Sequence, residues 1–337
     1  MFIVYLMTIV AAIIGLSITL NIYKQKHEEK PLVCPFGADC HTVISSNFSS
    51  FLGVGLELYG AAYYAFIAVV YLMFMVFPDL ASPMTVFLVT GASAGAFLFS
   101  IYLTFVQAFF IKSWCSWCLL SAGISTAIFI FTMIGVSISG VDFIPLLAEY
   151  KNLILIAHLL GFALGVGGAT ISDILFFNFL RNFKILDYEH KILNLMSQIV
   201  WVGLFIAIIS GIGLYLPNTE ALNQNPKFLV KVIVVAVITI NGAFLNLLIS
   251  PKLVDIKFKG KAIMHVGKTI ILRRLAFALG GVSFISWYTA FVLGVLKTTP
   301  YSFPELLGFY VGLLLLGVVG SQIFEKVFCK SNSTSSA

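Results

Sequence analysis

The stretch "SWCSWCLLSAGISTAIFIFTMIGV", residues 113–136, decides the fold class. After its second cysteine it runs without a charge for about the length that a helix needs to cross a hydrocarbon core, roughly 20 residues. The run is continuous rather than alternating, so it reads as a helix and not as a strand of a β-barrel. Similar runs recur along the whole chain of 337 residues, which is 60% apolar and 10% charged, with a mean hydropathy of +1.04. This composition excludes a water-soluble core and shell and predicts an all-α integral membrane protein. The formal charge of +6 comes with no basic-aromatic pattern for nucleic acid, so it bears on membrane orientation instead.

Apolar runs and their breaks predict nine spans, at about 2–22, 58–77, 85–111, 116–137, 152–177, 193–216, 228–249, 274–296 and 304–328. The first has neither a basic start nor a small-residue cleavage site, so it reads as a retained span and not a signal peptide. Composition shifts at "SGVDFIPLLAEYK", residues 139–151, which reads as a linker between a four-span domain (1–138) and a five-span domain (152–328). Residues 329–337, ending in "KSNSTSSA", read as a low-complexity, disordered tail. The segment between Tyr23 and Glu57 is the one long loop, and its "TVISSNFSSFLGVG" (42–55) is apolar enough to lie along a membrane surface.

Four of the five cysteines fall in close pairs, Cys34/Cys40 in that loop and Cys115/Cys118 in the opening stretch, with Cys329 apart. A CxxC at a helix start has a physical basis as a redox pair, because free backbone N–H groups there stabilise a thiolate on the first cysteine. Ser113 is read as the N-cap of a helix beginning at Trp114, which puts Cys118 one turn deeper than Cys115. Cys34 and Cys40 bracket "PFGAD", whose proline and glycine favour a turn that brings the thiols together. Such a loop disulfide is either a static staple or an exchangeable pair. Spans two and three return the chain to the side of the first loop, so both pairs share a membrane face. A relay between them is the better reading. The competing ones are a structural zinc site built from the four cysteines and inert buried thiols. No metal ligand set is assigned. Trp114, Trp117 and Phe48 fit around a flat ring or serve as interfacial aromatics.

At this point the chain resembles the vitamin K epoxide reductase family, in its prokaryotic branch. The resemblance rests on "CPFGADCHTVISS" (34–46), "FLGVGLELYGAAYY" (51–64) and "WCSWCLLSA" (114–122), in the family's order, and covers roughly residues 1–138. It implies a four-helix bundle around a quinone, ubiquinone or menaquinone. It implies that electrons pass from a thioredoxin-like protein to the loop pair, then to CxxC, then to quinone. Carried over by position, Cys34 takes the partner's electrons, Cys40 passes them to Cys115, and Cys118 belongs to the pair that reduces the quinone. Ser46 matches the serine that hydrogen-bonds near the quinone. The vertebrate enzymes carry an asparagine in the second span, where this chain reads "GLELYG", leaving Glu57 or no residue for that role. Epoxide reduction is therefore the alternative activity and quinone reduction the leading one. No thioredoxin-like segment follows the bundle, so the partner is expected to be a separate protein.

The second half has no motif of that specificity. His158, Asp173, Lys231, Asn241 and Asn246 are polar residues inside predicted spans, where such groups face a bundle interior or a cavity. His158 reads as a satisfied interhelical histidine, with a haem or metal ligand as the alternative. A transporter with structural cysteines is the competing function for the whole chain. His190 and His265 fall in predicted loops. The glycines of "HLLGFALGVGGATISD" (158–173) predict close helix packing.

Two arguments about sidedness conflict. The family resemblance places the cysteines outside the cytoplasm, where disulfides persist. With nine spans, all but Lys151, Lys227, Lys231 and Lys297 of the 20 Lys and Arg lie on the cysteine side, which places that side in the cytoplasm.

Overall fold

The computed structural model describes residues 1–28, 34, 38–46, 48–139, 142–180, 187–249, 266–296 and 298–334. Among them, nine helices are long and apolar enough to cross a membrane. Their outward surfaces are apolar too: Leu315 and Leu316 on the last helix are 63% and 70% exposed. A bundle with carbon on the outside is stable only in hydrocarbon, so the chain is an all-α integral membrane protein. Contacts divide it into two compact units, Met1–Glu149 and Tyr150–Ala337.

The first unit contains α1 (Phe2–His27), α2 (Cys40–Ile44), α3 (Leu56–Val76), α4 (Pro83–Val106), α5 (Ser116–Ser139) and α6 (Phe143–Glu149). Between α2 and α3 a two-residue hairpin pairs β1 (Ser50–Phe51) with antiparallel β2 (Val54–Gly55). Its turn puts both Leu52 and Gly53 at positive φ, the geometry of a tight hairpin, and Gly53 meets that demand without strain. The loop segment is therefore a short helix followed by a hairpin.

Apolar side chains at helical spacing on α3 set the core of this unit. Tyr64, Ile67, Tyr71 and Phe74 lie on one face and pack with Ala12, Val89 and Ile128. The two tyrosines tie α3 to α5: the Tyr64 hydroxyl donates to the Ser121 carbonyl at 2.7 Å, and that of Tyr71 donates to Thr132 Oγ1 at 2.8 Å. Ser82 caps α4, with Pro83 in the first turn where its missing N–H costs nothing. α4 ends in a π-helical turn, Gln107–Ile111, and Lys112 follows in the left-handed region. This break redirects the chain into α5.

One reading needs correction here. α5 begins at Ser116, not Trp114, and the Leu119 N–H bonds to the Cys115 carbonyl at 3.0 Å. Cys115, and not Ser113, therefore holds the cap position, because the capping residue is the one whose carbonyl takes the first helical bond. Within the segment read as a linker, α6 forms and buries Leu146 and Leu147.

The second unit contains α7 (Lys151–Leu180), α8 (Asp187–Tyr215), α9 (Thr219–Asn223), α10 (Pro226–Phe244), α11 (Val266–Val295) and α12 (Phe303–Thr334). α7 and α8 pack tightly at glycines. A Cβ on Gly161 would lie 2.7 Å from Ala207 N and 2.8 Å from Gly203 O. Val230, Val234 and Ile238 of α10 pack with Trp287, Ala290 and Leu293 of α11 and Tyr310 of α12. His190 lies on α8 rather than in a loop, because the helix starts ahead of the apolar run. α12 is helical through Thr334, past the point where the tail was expected to begin; extending an existing helix adds one bond for each residue ordered. The "PFGAD" turn falls largely on residues 35–37, outside the described residues, as do His265, the side chain of Cys329 and residues 335–337.

Candidate functional site

Cys40 opens α2 and Cys34 precedes it in the loop, while Cys115 and Cys118 sit at the start of α5. Asp39 caps α2 by accepting the Thr42 N–H at 3.1 Å and the Thr42 hydroxyl at 2.6 Å, which sets Cys40 as the first helical residue. The Thr42 hydroxyl, and then its N–H, hold the Asp39 carboxyl below the usual carboxylate range. Cys40 is disulfide-bonded to Cys34. Cys40, Val43 and Cys115 form one buried cluster, with Cys34, Ile111, Trp117 and Cys118 packed around it. Cys40 is 1% exposed and Cys115 is 0% exposed, whereas Cys34 is half-buried.

Cys115 and Cys118 are free thiols. The Cys115 sulfur accepts the Cys118 N–H at 3.2 Å, the bond an N-cap side chain makes to the third helical residue. The Cys115 sulfur thus caps α5, at the positive end of the helix, where a thiolate is favoured. The Cys118 thiol, followed by the backbone N–H groups of Cys118 and Trp117, holds the Cys115 thiol below the ordinary cysteine range, while burial acts against them. The Cys115 N–H in turn donates to Gln107 Oε1 at 3.0 Å. Gln107 is 4% exposed in the π-helical turn, so the side chain released by that helix defect holds the CxxC turn.

Below this cluster lies a cavity of about 440 Å³ lined by parts of α1, α3, α4, α5 and the hairpin segment. Cys118 lines it, together with Ser46, Phe48 and Glu57. Trp114 and Trp117 do not: Trp114 is 49% exposed, and Trp117 packs on the cysteine cluster. The Ser46 hydroxyl donates to the Val43 carbonyl at 2.7 Å, which leaves its lone pairs for a further partner. Glu57 is paired with Lys26 at 3.1 Å, so its carboxylate already has a cation. Sequence reasoning missed Gln107, Tyr63, Tyr64, Ser121 and Ser125 in this site. The "YY" and the serines at 121 and 125 look like ordinary span residues, and only a shared cavity distinguishes them.

In the second unit, His158 Nδ1 lies 2.9 Å from the Ala207 carbonyl and Nε2 lies 3.4 Å from Lys231 Nζ. A carbonyl only accepts, so Nδ1 carries a proton, and both ring nitrogens have polar neighbours. Asn241 donates to the Leu279 carbonyl at 3.0 Å. Asp173 and Asn246 line a cavity of about 490 Å³. Arg273 and Glu325 form a buried ion pair between α11 and α12. Among the described residues, no three His, Cys, Asp or Glu side chains form a group able to hold a metal ion.

Neither the curated proteins nor the solved structures compared with this chain include a match. Residues 3–133 match the family described as "Vitamin K epoxide reductase family". The match covers α1 to α5, with both cysteine pairs and the cavity. Over residues 3–133 the first unit is therefore similar to the vitamin K epoxide reductase family.

Proposed function

We propose that the chain is a membrane thiol:quinone oxidoreductase that takes electrons from a separate thioredoxin-like protein and delivers them to ubiquinone or menaquinone, thereby supporting protein disulfide formation. The observation that carries this reading is the gradient across one cluster. Cys34 is half-buried, Cys40 and Cys115 are buried together, and Cys118 lines a cavity of about 440 Å³. Each cysteine thus meets the partner its role requires.

In this reading the partner's thiolate attacks Cys34 and reduces the loop pair. The Cys40 thiolate attacks Cys115 of an oxidised CxxC, forming a Cys40–Cys115 disulfide and releasing Cys118. Cys34 then attacks Cys40, restoring the loop disulfide and releasing Cys115. A low thiol pKa makes Cys115 a good leaving group at that step. The state with a loop disulfide and two free CxxC thiols is the one that precedes quinone reduction. The dithiol then becomes a disulfide, and its two electrons and two protons leave on the quinol. The cavity suits a flat, largely apolar ring: Phe48 and Phe99 line it, and among its lining residues Glu57 is the one acidic or basic side chain. The active cysteines face the extracytoplasmic side of the cell membrane, where the product disulfides persist.

Anaerobic mixing of the reduced chain with ubiquinone or menaquinone, with free thiols counted, tests the reading. Two thiols should disappear for each quinol formed. Cys118→Ala should abolish quinone reduction by a reduced thioredoxin-like protein, and unchanged turnover in that variant would overturn it. A membrane-impermeant thiol reagent applied to intact cells should label the reduced Cys34.

A further inference from the structure

We infer that the Tyr63 and Ser125 hydroxyls form the oxygen-binding end of the cavity and hold the quinone carbonyl farthest from Cys118. This rests on the quinone reading above and adds which groups of this chain recognise the ring.

Most polar side chains lining the cavity already have partners within the protein. Tyr64 bonds to Ser121, Ser100 and Thr104 donate to carbonyls of their own helix, and Gln107 holds the Cys115 N–H. Tyr63 Oη and Ser125 Oγ are both buried, lie near each other, and make no hydrogen bond of ordinary length to any group of the protein. Both residues line the cavity, and Ser125 is 2% exposed. Tyr63 comes from α3 and Ser125 from α5, so the two hydroxyls are brought side by side from two helices. Buried hydroxyls without partners are uncommon because each forfeits its bonds to water. Two in one cavity identify where a ligand's polar atom belongs.

The spacing fits a quinone ring. Ser125 lies seven residues beyond Cys118 on α5, two turns deeper on the same face, at about 10 Å by the helical rise. A ring with a thiol against one side and a hydrogen-bonded oxygen on the other fills such an interval. The chemistry fits both redox states. A quinone carbonyl only accepts, and Tyr63 can donate to it. The quinol hydroxyl also donates, and the lone pairs of Ser125 can accept. In "GLELYG", Leu56, Leu58 and the glycines offer no such group, the Tyr59 hydroxyl donates to the Phe51 carbonyl, and Glu57 is engaged by Lys26.

The test uses the full chain in detergent micelles, with short-tailed ubiquinone and menaquinone as probes. Binding is read on a Cys118→Ala background, where no turnover occurs, and KM and kcat on the intact relay. Tyr63→Phe keeps the ring and its packing beside Tyr64 and removes only the hydroxyl. It should raise the quinone Kd and KM about tenfold, the loss of one hydrogen bond to a buried acceptor, with a smaller change in kcat. Ser125→Ala should raise both about threefold and serves as the second variant if Tyr63→Phe does not fold. If quinones bind the parent chain and bind Tyr63→Phe and the double variant equally well, the inference is overturned while the quinone reading stands. If the parent chain binds no quinone, both fall.

Discussion

The two units enclose cavities of similar volume, about 440 Å³ in the first and about 490 Å³ in the second, with different groups at their walls. The first has a thiol, Cys118, contiguous with three more cysteines in a buried cluster. The second has a carboxylate, Asp173, and glycines and serines from several helices, with its other ionisable groups dispersed. His158 and Lys231 meet where α7 approaches α10, and Arg273 and Glu325 meet between α11 and α12. Volume is therefore no measure of a site. What differs is whether groups that react with one another are held in sequence, so that each exchange hands its product to a neighbour.

The units also differ in what holds them. The second relies on a buried ion pair, and breaking one by removing a single partner leaves an uncompensated charge. Glu325→Gln should lower the stability of the second unit by about 3–5 kcal/mol, measured by chemical unfolding in micelles. Glu57→Gln, which breaks the more exposed Lys26 pair of the first unit, should cost about 1 kcal/mol or less. Equal losses would erase the contrast. The first unit is sensitive instead at one amide. Gln107→Leu leaves the buried Cys115 N–H without an acceptor, at about 1–3 kcal/mol, and should slow exchange between the loop pair and CxxC about tenfold in stopped-flow thiol assays. The smallest effect is electrostatic. The Cys118 thiol is the first cause of the low Cys115 pKa, so Cys118→Ala should move the Cys115 titration to higher pH. Thiolate absorbance in a Cys329→Ser background measures it, and a shift to lower pH would remove the capping thiolate from the account.

Much of the fold was legible because lipid imposes a simple rule. Runs of about 20 apolar residues have one use, and the nine expected spans correspond to nine helices among the described residues. Helix ends were less legible. α8 and α11 begin several residues before their apolar runs, because polar residues extend a helix as readily as apolar ones. The cap of α5 was assigned to Ser113 because serine is the usual capping residue, whereas the sulfur of Cys115 takes that place.

The site was legible at its reactive atoms and obscure in its supports. Two cysteine pairs are rare in a chain with five cysteines, so spacing alone marks them. Gln107, Tyr63 and Ser125 carry no such mark, since Gln, Tyr and Ser occur throughout helices and only their partners, or lack of them, set them apart. Trp114 and Trp117 stood out for their proximity to CxxC and lie away from the cavity.

By itself, the sequence determined that the chain lives in a membrane, where the nine apolar runs lie and which cysteines are paired by spacing, because hydrophobicity and spacing are properties of the chain read in order. Only the tertiary structure decided that Cys40 is buried with Cys115, that Cys118 opens on a cavity and that two hydroxyls face that cavity unpaired. Those facts depend on which helix faces meet, and packing settles that between residues distant in sequence.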